Sequence, residues 1–479
     1  HAAAFALIGP IQPWMQITNG VVTADDVGGP MPIGSGYRWN LPLVTYGFDP
    51  SFLDYFGTNG VAAVEGAIQI LNNLPPASQI VLSNYPYAAL ERSTDPATQT
   101  LLDLKTVTLS VLLEHLGLND PIRSVYVITE WDSSLLNFGS LFLGVFEDTN
   151  YNDFIGTFNF YPPDLAPSPR INNDIFTGEI AYDATQIWVD LFLVDPLAPY
   201  VSAIASVRNN PYTQSYCSGL TYDDVGGLAY LLSTNNICYE TLVPGVFGTG
   251  TSATNWVNGA WRPGVDKITL IPHPQDPQSG AFLAMTNYFT DTFVSNGLFQ
   301  RQSMARAISQ PDFLFTAGSL AASFWAEYTR TGTTNWINNA TANGNLNGAG
   351  PGVIQPSVQI NFSRLGREYV SDSESTENVA WDYSTQWGSF GGSTNAPISY
   401  PVSRGITNQS TLRMLLNEDS QPRFNWQITG AENAQFTLET STNLSNWTAL
   451  FTLTNNGTVS VYQDISPASP CRYYHLAPQ

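Results

Sequence analysis

Ser110-Val111-Leu112-Leu113-Glu114-His115-Leu116-Gly117-Leu118-Asn119-Asp120 is the stretch on which the reading of the chain turns. Leu101, Leu104, Val107, Leu109, Leu112 and Leu116 lead into it as apolar positions of a helix, and Gly117 is the residue type that a helix C-terminus favours. The pattern predicts a helix from about Ala97 to Leu118. Glu114, His115 and Asp120 cluster at its end, and Glu114 and Asp120 are the candidates for chemistry there.

Working outward, Leu41–Phe48 reads as a strand, followed by a helix from about Thr58 to Leu74. Val61, Val64, Ile68 and Leu71 mark the inner face of that helix, and Pro75-Pro76 stops it. Before the strand, Ala2 to Met15 is apolar but broken by Gly9, Pro10 and Pro13, so residues 1–36 are expected as an extended arm. Phe5, Leu7, Ile8, Ile11 and Trp14 are its candidate assembly residues, packing either on their own domain or as an added strand on a neighbouring subunit. After Asp120 come strand-like runs at 124–129, 140–146 and 186–194 and a third helix at Tyr222–Ser233, whose leading Asp223-Asp224 pair suits a helix N-terminus.

From about 245 short β-branched and aromatic runs, such as Ile268–Ile271 and Val358–Phe362, alternate with Gly, Pro and Asn. The last stretch holds strand candidates at 423–428, 435–440, 447–452 and 459–463, the size and spacing of an immunoglobulin-like β-sandwich. The expected architecture is therefore an α+β N-terminal domain over 37–244 with an insertion near 120–215, a β-rich domain over 245–404, and a β-sandwich module over 405–479. Asp-Asp-Val-Gly-Gly occurs at both Asp25–Gly29 and Asp223–Gly227, but the flanks do not match.

Composition narrows the function classes. The 479 residues carry 17 Lys and Arg against 39 Asp and Glu, a net charge of -22, which excludes binding through neutralisation of nucleic-acid phosphates and argues against docking on an anionic membrane. At 43% hydrophobic and 12% charged residues the chain is built to fold, and Lys105 and Lys267 are its two lysines. No run of about 18 apolar residues occurs, so no helical membrane span is expected. The opening His1-Ala2-Ala3-Ala4-Phe5 reads as a terminus left by signal-peptide removal, which places the protein in the secreted, extracellular or cell-surface class. Cys217 and Cys238 flank the third helix as a candidate disulfide worth about 3 kcal/mol, with Cys471 left over; three reduced, buried thiols are the alternative.

Three pieces of the first domain resemble, in order, the metzincin peptidases of the matrixin type. They are Tyr37-Arg38-Trp39-Asn40 with the strand and helix that follow, the Ser110–Asp120 stretch with its Leu-Gly-Leu, and Leu220-Thr221-Tyr222-Asp223-Asp224-Val225-Gly226-Gly227-Leu228. The resemblance spans about 37–235 and implies a metzincin-like scaffold with a zinc helix ending at Leu116-Gly117-Leu118. Carried over residue by residue, the family's two helical zinc histidines fall on Ser110 and Glu114, its general-base glutamate on Val111 and its third histidine on Asp120. Zinc hydrolysis needs two imidazoles one turn apart and a carboxylate base, and these positions supply neither. His115 lies off the required face and reads as a surface or supporting histidine.

No cofactor is expected, and the alternatives are weak. Glu114 and Asp120 offer oxygen ligands to a hydrated calcium ion. His1 offers the amine and imidazole of a copper site, for which His115, His273 or His475 would have to supply the second ring. Asp148-Thr149-Asn150-Tyr151-Asn152-Asp153 begins like a calcium loop but lacks the glycine and the closing glutamate, so it reads as a polar turn. Ser371–Glu377 reads as a solvated loop, and Asn339, Asn361, Asn443 and Asn456 head glycosylation sequons.

The C-terminal stretch Phe436-Thr437-Leu438-Glu439-Thr440-Ser441-Thr442-Asn443-Leu444, with Trp447, Tyr462-Gln463-Asp464 and Arg472-Tyr473-Tyr474-His475-Leu476, resembles the small β-sandwich modules that end many secreted bacterial surface proteins. That resemblance implies an extracellular setting and adhesion or sorting, with Leu438 and Trp447 between the sheets and Asp464 in a turn. The sequence thus points to a non-catalytic extracellular or cell-surface structural protein, self-assembling through its arm into a fibre or surface layer. The two other readings are a secreted metalloenzyme, either a divergent peptidase or a copper oxidase using His1, and an adhesin that binds glycans on exposed Trp and Tyr.

Overall fold

The structure is a computed structural model that describes residues 4–9, 30–34, 36–130, 154–182, 187–197, 203–209, 212–276 and 279–318. Beyond these it describes the shorter pieces 329–331, 336–338, 352–354, 356–362, 370–371, 378–379, 386–391, 396–401, 411–415, 424–429, 435–441, 447–454, 460–464 and 473–478. His1, Ile11, Trp14, the 140–146 run and the Asp148–Asp153 turn lie outside them. The fold is mixed α and β. Twelve strands are labelled here: β1 Ala6–Leu7, β2 Leu43–Phe48, β3 Leu118–Asn119, β4 Cys238–Thr241, β5 Val246–Gly248, β6 Gly259–Arg262, β7 Thr269–Pro272, β8 Met285–Ser295, β9 Leu298–Ile308, β10 Phe313–Ala317, β11 Thr329–Thr331 and β12 Val358–Phe362. Among the described residues the helices are α1 Pro50–Asn72, α2 Leu104–His115 and α3 Tyr222–Leu232.

The first five-stranded sheet has the order β7-β2-β10-β12-β11. Its first three pairings are parallel and the last is antiparallel. Parallel strands buried on both faces are near-continuous apolar runs, as Leu43-Val44-Thr45-Tyr46 and Phe313-Leu314-Phe315 are. The α1 helix lies on this sheet through Phe52 and Phe56, whose rings are 4.7 Å apart. Phe52 and Phe56 also meet Phe362, and Phe56 meets Tyr400 at 5.2 Å, while Phe48 stacks on Phe315 at 5.4 Å. Asp49 caps the helix by accepting from the Ser51 amide, and Pro50 occupies its first turn. The helix thus begins before the expected Thr58, and Gly57 at φ 60° joins two helical segments across a kink.

The helix expected from Ala97 to Leu118 is shorter. Leu101–Asp103 forms a strand that pairs in parallel with Gln386–Ser389, and α2 starts only after it. Asp103 sets the boundary by accepting from the amide and hydroxyl of Thr106, at 3.0 and 2.6 Å. Gly117, at φ +117°, closes the other end. Every residue from Thr106 to His115 is buried, so the helix is enclosed on all sides although it carries Thr, Ser, Glu and His side chains. In α3 Thr221 and Asp224 form a reciprocal capping box.

The arm folds back. β1 pairs antiparallel with β3, Phe5 bridges to Phe160, and Phe5, Leu7 and Ile8 are no more than 2% exposed. These three are therefore not available to a neighbouring subunit.

A second five-stranded sheet, β4-β6-β8-β9-β5, is antiparallel throughout. Its long β8–β9 hairpin turns at Asn296-Gly297, both with positive φ, as a two-residue hairpin turn requires. In the 120–215 region Asp174–Tyr182 pairs with Ile187–Leu193, and Val125, Ile171, Phe176 and Ala203 form a small core of their own.

The chain divides into two compact units, His1–Val402 and Ser403–Gln479. The expected boundary near 244 is absent: β2, from one side of it, pairs directly with β7 and β10 from the other. Parallel neighbours cannot be joined by a tight turn, so this sheet draws its strands from distant parts of the chain. The second unit holds two antiparallel three-stranded sheets, 411–415 with 424–429 and 460–464, and 448–454 with 435–441 and 473–478. Leu438 is buried there, Trp447 is half-buried, and Asp464 ends a strand opposite Phe424 instead of sitting in a turn.

Candidate functional site

The end of α2 is part of the core. Ser110 and Val111 are fully buried, Glu114 is 6% exposed and His115 1%. The expectation of a surface His115 fails because α2 is enclosed on all sides: the ring lies 6.1 Å from that of Phe313, and the His115 carbonyl accepts from Trp39 Nε1 at 2.7 Å. Asp120 organises the turn after β3, its Oδ1 accepting from the Ile122 amide at 2.9 Å and its carbonyl from the Ser124 hydroxyl at 2.8 Å. Among the described residues no three His, Cys, Asp or Glu side chains group so as to hold a metal ion.

Of the other histidines, His273 and His475 fall within the described residues. His273 is buried, with Nε2 3.0 Å from the Leu283 carbonyl and its ring edge-on to Phe282, and burial lowers its pKa. His475 lies in the second unit, opposite Glu439. Cys217 and Cys238 are buried free thiols in different sheets, Cys217 opposite Leu90 and Cys238 opposite Arg262. Burial pushes the Cys217 thiol up to about 11. Such a thiol is inert at neutral pH. Of the sequon residues, Asn361 lies within β12 and its Oδ1 accepts from the Thr316 hydroxyl at 2.9 Å, while Asn339, Asn443 and Asn456 fall outside the described residues.

Sequence reasoning missed the buried charges. Arg38 pairs with Glu240 at 2.6 Å, and the side chains are 2% and 0% exposed. Arg38 also donates to the carbonyls of Leu231, Asn236 and Arg262. Arg262 grips Asp291 through two bonds of 2.9 and 3.0 Å and donates to the carbonyls of Glu240, Asn258 and Val257. Gln302 completes this set on Asp291 Oδ2 at 2.7 Å. Arg306 pairs with Asp312, whose other oxygen accepts from the Thr45 amide and hydroxyl. A charge is tolerated in the interior when paired and hydrogen-bonded, and these residues tie strands together. The only signal in sequence is Arg at an inward strand position, as in Gly259-Ala260-Trp261-Arg262.

The same sheet has an open side. Side chains alternate along a strand, so Arg262, Asp291, Gln302 and Met304 point inward while Trp261, Thr292, Arg301 and Ser303 point outward. Where β6 ends at Arg262, a cavity of about 430 Å³ opens beside β8. Thr290, Thr292, Phe299 and Arg301 line one part of it, and Asn235 and Asp266 another.

Fold and site together define a mixed α and β protein with a structural, ion-paired interior and an open sheet face. Compared with protein-family models, curated proteins and solved structures, the chain matches none.

Proposed function

We propose that the chain is a non-catalytic extracellular or cell-surface structural protein. The observation that supports this reading is the enclosure of α2 and of the turn that follows it, where the candidate oxygen ligands Glu114 and Asp120 are buried. A hydrolytic metal needs an open coordination position and a path for substrate. Buried side chains offer neither. The low charge content and two lysines suit an extracellular setting. On this reading the likeness of 37–235 to matrixin-type peptidases is one of scaffold, and the immunoglobulin-like character of the last unit serves adhesion.

Elemental analysis of freshly purified full-length protein tests the proposal. Zinc, copper and calcium should each be well below one per chain, and a chelator should leave the melting temperature unchanged. One tightly held ion per chain, lost in Glu114→Ala or on extending the chain ahead of His1, would overturn it.

A further inference from the structure

The outward face of the β4-β6-β8-β9-β5 sheet carries aromatic rings in two rows. Tyr239, Trp261, Val294 and Phe299 are successive cross-strand partners and so share one row over four strands, about 14 Å wide at the usual strand spacing. Tyr288, Ala305 and Phe247 form a second row over β8, β9 and β5. The rows lie six positions apart along β8, about 20 Å at a strand's rise per residue. Exposure is high: Tyr288 75%, Phe299 60%, Trp261 50% and Phe247 43%. Between the rows stand Thr290, Ser303, Thr292 and Arg301. On the opposite face of the same strands Asp291, Gln302, Met304 and Arg306 are buried, so these rings are left in water on the outward side of the sheet.

The composition of the face selects its occupant. A protein interface of this size is expected to have a continuous apolar centre, whereas here hydroxyl groups separate the aromatic rows. Single-stranded nucleic acid also stacks on aromatic residues, but it needs a cationic track. Among the described residues of this face Arg301 is the one charged side chain, on a chain of net charge -22. A second copy of the chain would bring the same net negative charge to the contact. A neutral sugar polymer fits instead: it presents apolar C–H faces to aromatic rings and hydroxyl groups to Thr, Ser and Arg. The rows are far enough apart for several consecutive rings, and the cavity beside Thr290, Thr292, Phe299 and Arg301 adjoins the face with room for a further ring or a branch.

We infer that this sheet face binds a neutral polysaccharide chain, held by Trp261, Phe299, Tyr288 and Phe247 and oriented by the hydroxyl groups and Arg301 between them. The inference rests on residues apart from α2 and stands whether or not the protein catalyses a reaction.

Depletion of the full-length protein from solution by suspended cellulose, chitin or insoluble mannan tests it. At least one of the three should retain the protein, and high salt should not release it. Trp261→Ala and Tyr288→Ala should each weaken retention about tenfold and leave the melting temperature unchanged, since both side chains are exposed. Three results would overturn the inference: no retention on any of the three, retention that both variants keep in full, or retention that high salt abolishes. The inference also fails if sedimentation shows a dimer that both variants dissolve, because the face is then a contact between copies.

Discussion

Gly117 shows how much one residue decides. Its φ of +117° is a region that side chains rarely adopt, and a Cβ there would lie 2.3 Å from the Tyr37 carbonyl oxygen. Backbone cannot swing aside as the end of a side chain can. Gly117→Ala should therefore cost more than about 2 kcal/mol in urea unfolding. Gly34 also has positive φ, at +84°, but nothing lies within 4 Å of its missing Cβ, so Gly34→Ala should cost about 1 kcal/mol or less. Equal losses at both sites would show that crowding at Tyr37 contributes nothing. Position 117 was legible in the sequence as the end of a helix. The clash was not, because Tyr37 is a neighbour only in the folded chain.

At the scale of elements, α1 was legible because Val64, Ile68 and Leu71 fall on one side of it, and α3 because the Asp223-Asp224 pair marks its first turn. The start of α2 was not, since Leu101-Leu102 suits a strand as well as a helix, and the pairing with Gln386–Ser389 decides between them. Residues of the metal-like cluster could be located along the helix, but the walls that bury them come from Trp39 and Phe313. The aromatic face is also spread over distant strands, and no local spacing betrays it. The ion pairs carry a prediction of their own. Arg262→Met leaves Asp291 buried with Gln302 but without its cation and should cost about 3–5 kcal/mol in chemical unfolding. Adding Asp291→Leu to Arg262→Met should recover a large part of that loss. A double variant no more stable than the single one would mean that the pair contributes through packing rather than charge.

The whole molecule should respond to acid in a direction set by its buried carboxyl groups. Burial raises Asp223 well above the usual carboxylate range, against hydrogen bonds from the Asn172 and Ala4 amides, and burial also raises Asp224. Between the unfolded value near 4 and the raised folded value, the native state holds more protons than the unfolded chain, so stability falls as pH rises. The melting temperature should accordingly increase from about pH 7 to about pH 5, and Asp223→Asn should flatten that slope. A slope unchanged in the variant would remove Asp223 as its source. The central sheet has a further consequence. Thr45 on β2 is held by Asp312, 267 positions later, and β2 lies between β7 and β10. As the polypeptide leaves the ribosome, Leu43–Phe48 emerges long before either neighbour exists. Native pairing of that strand can begin only when most of the first unit has been synthesised, so the nascent chain passes much of its early life with a sticky apolar segment that chaperones must shield.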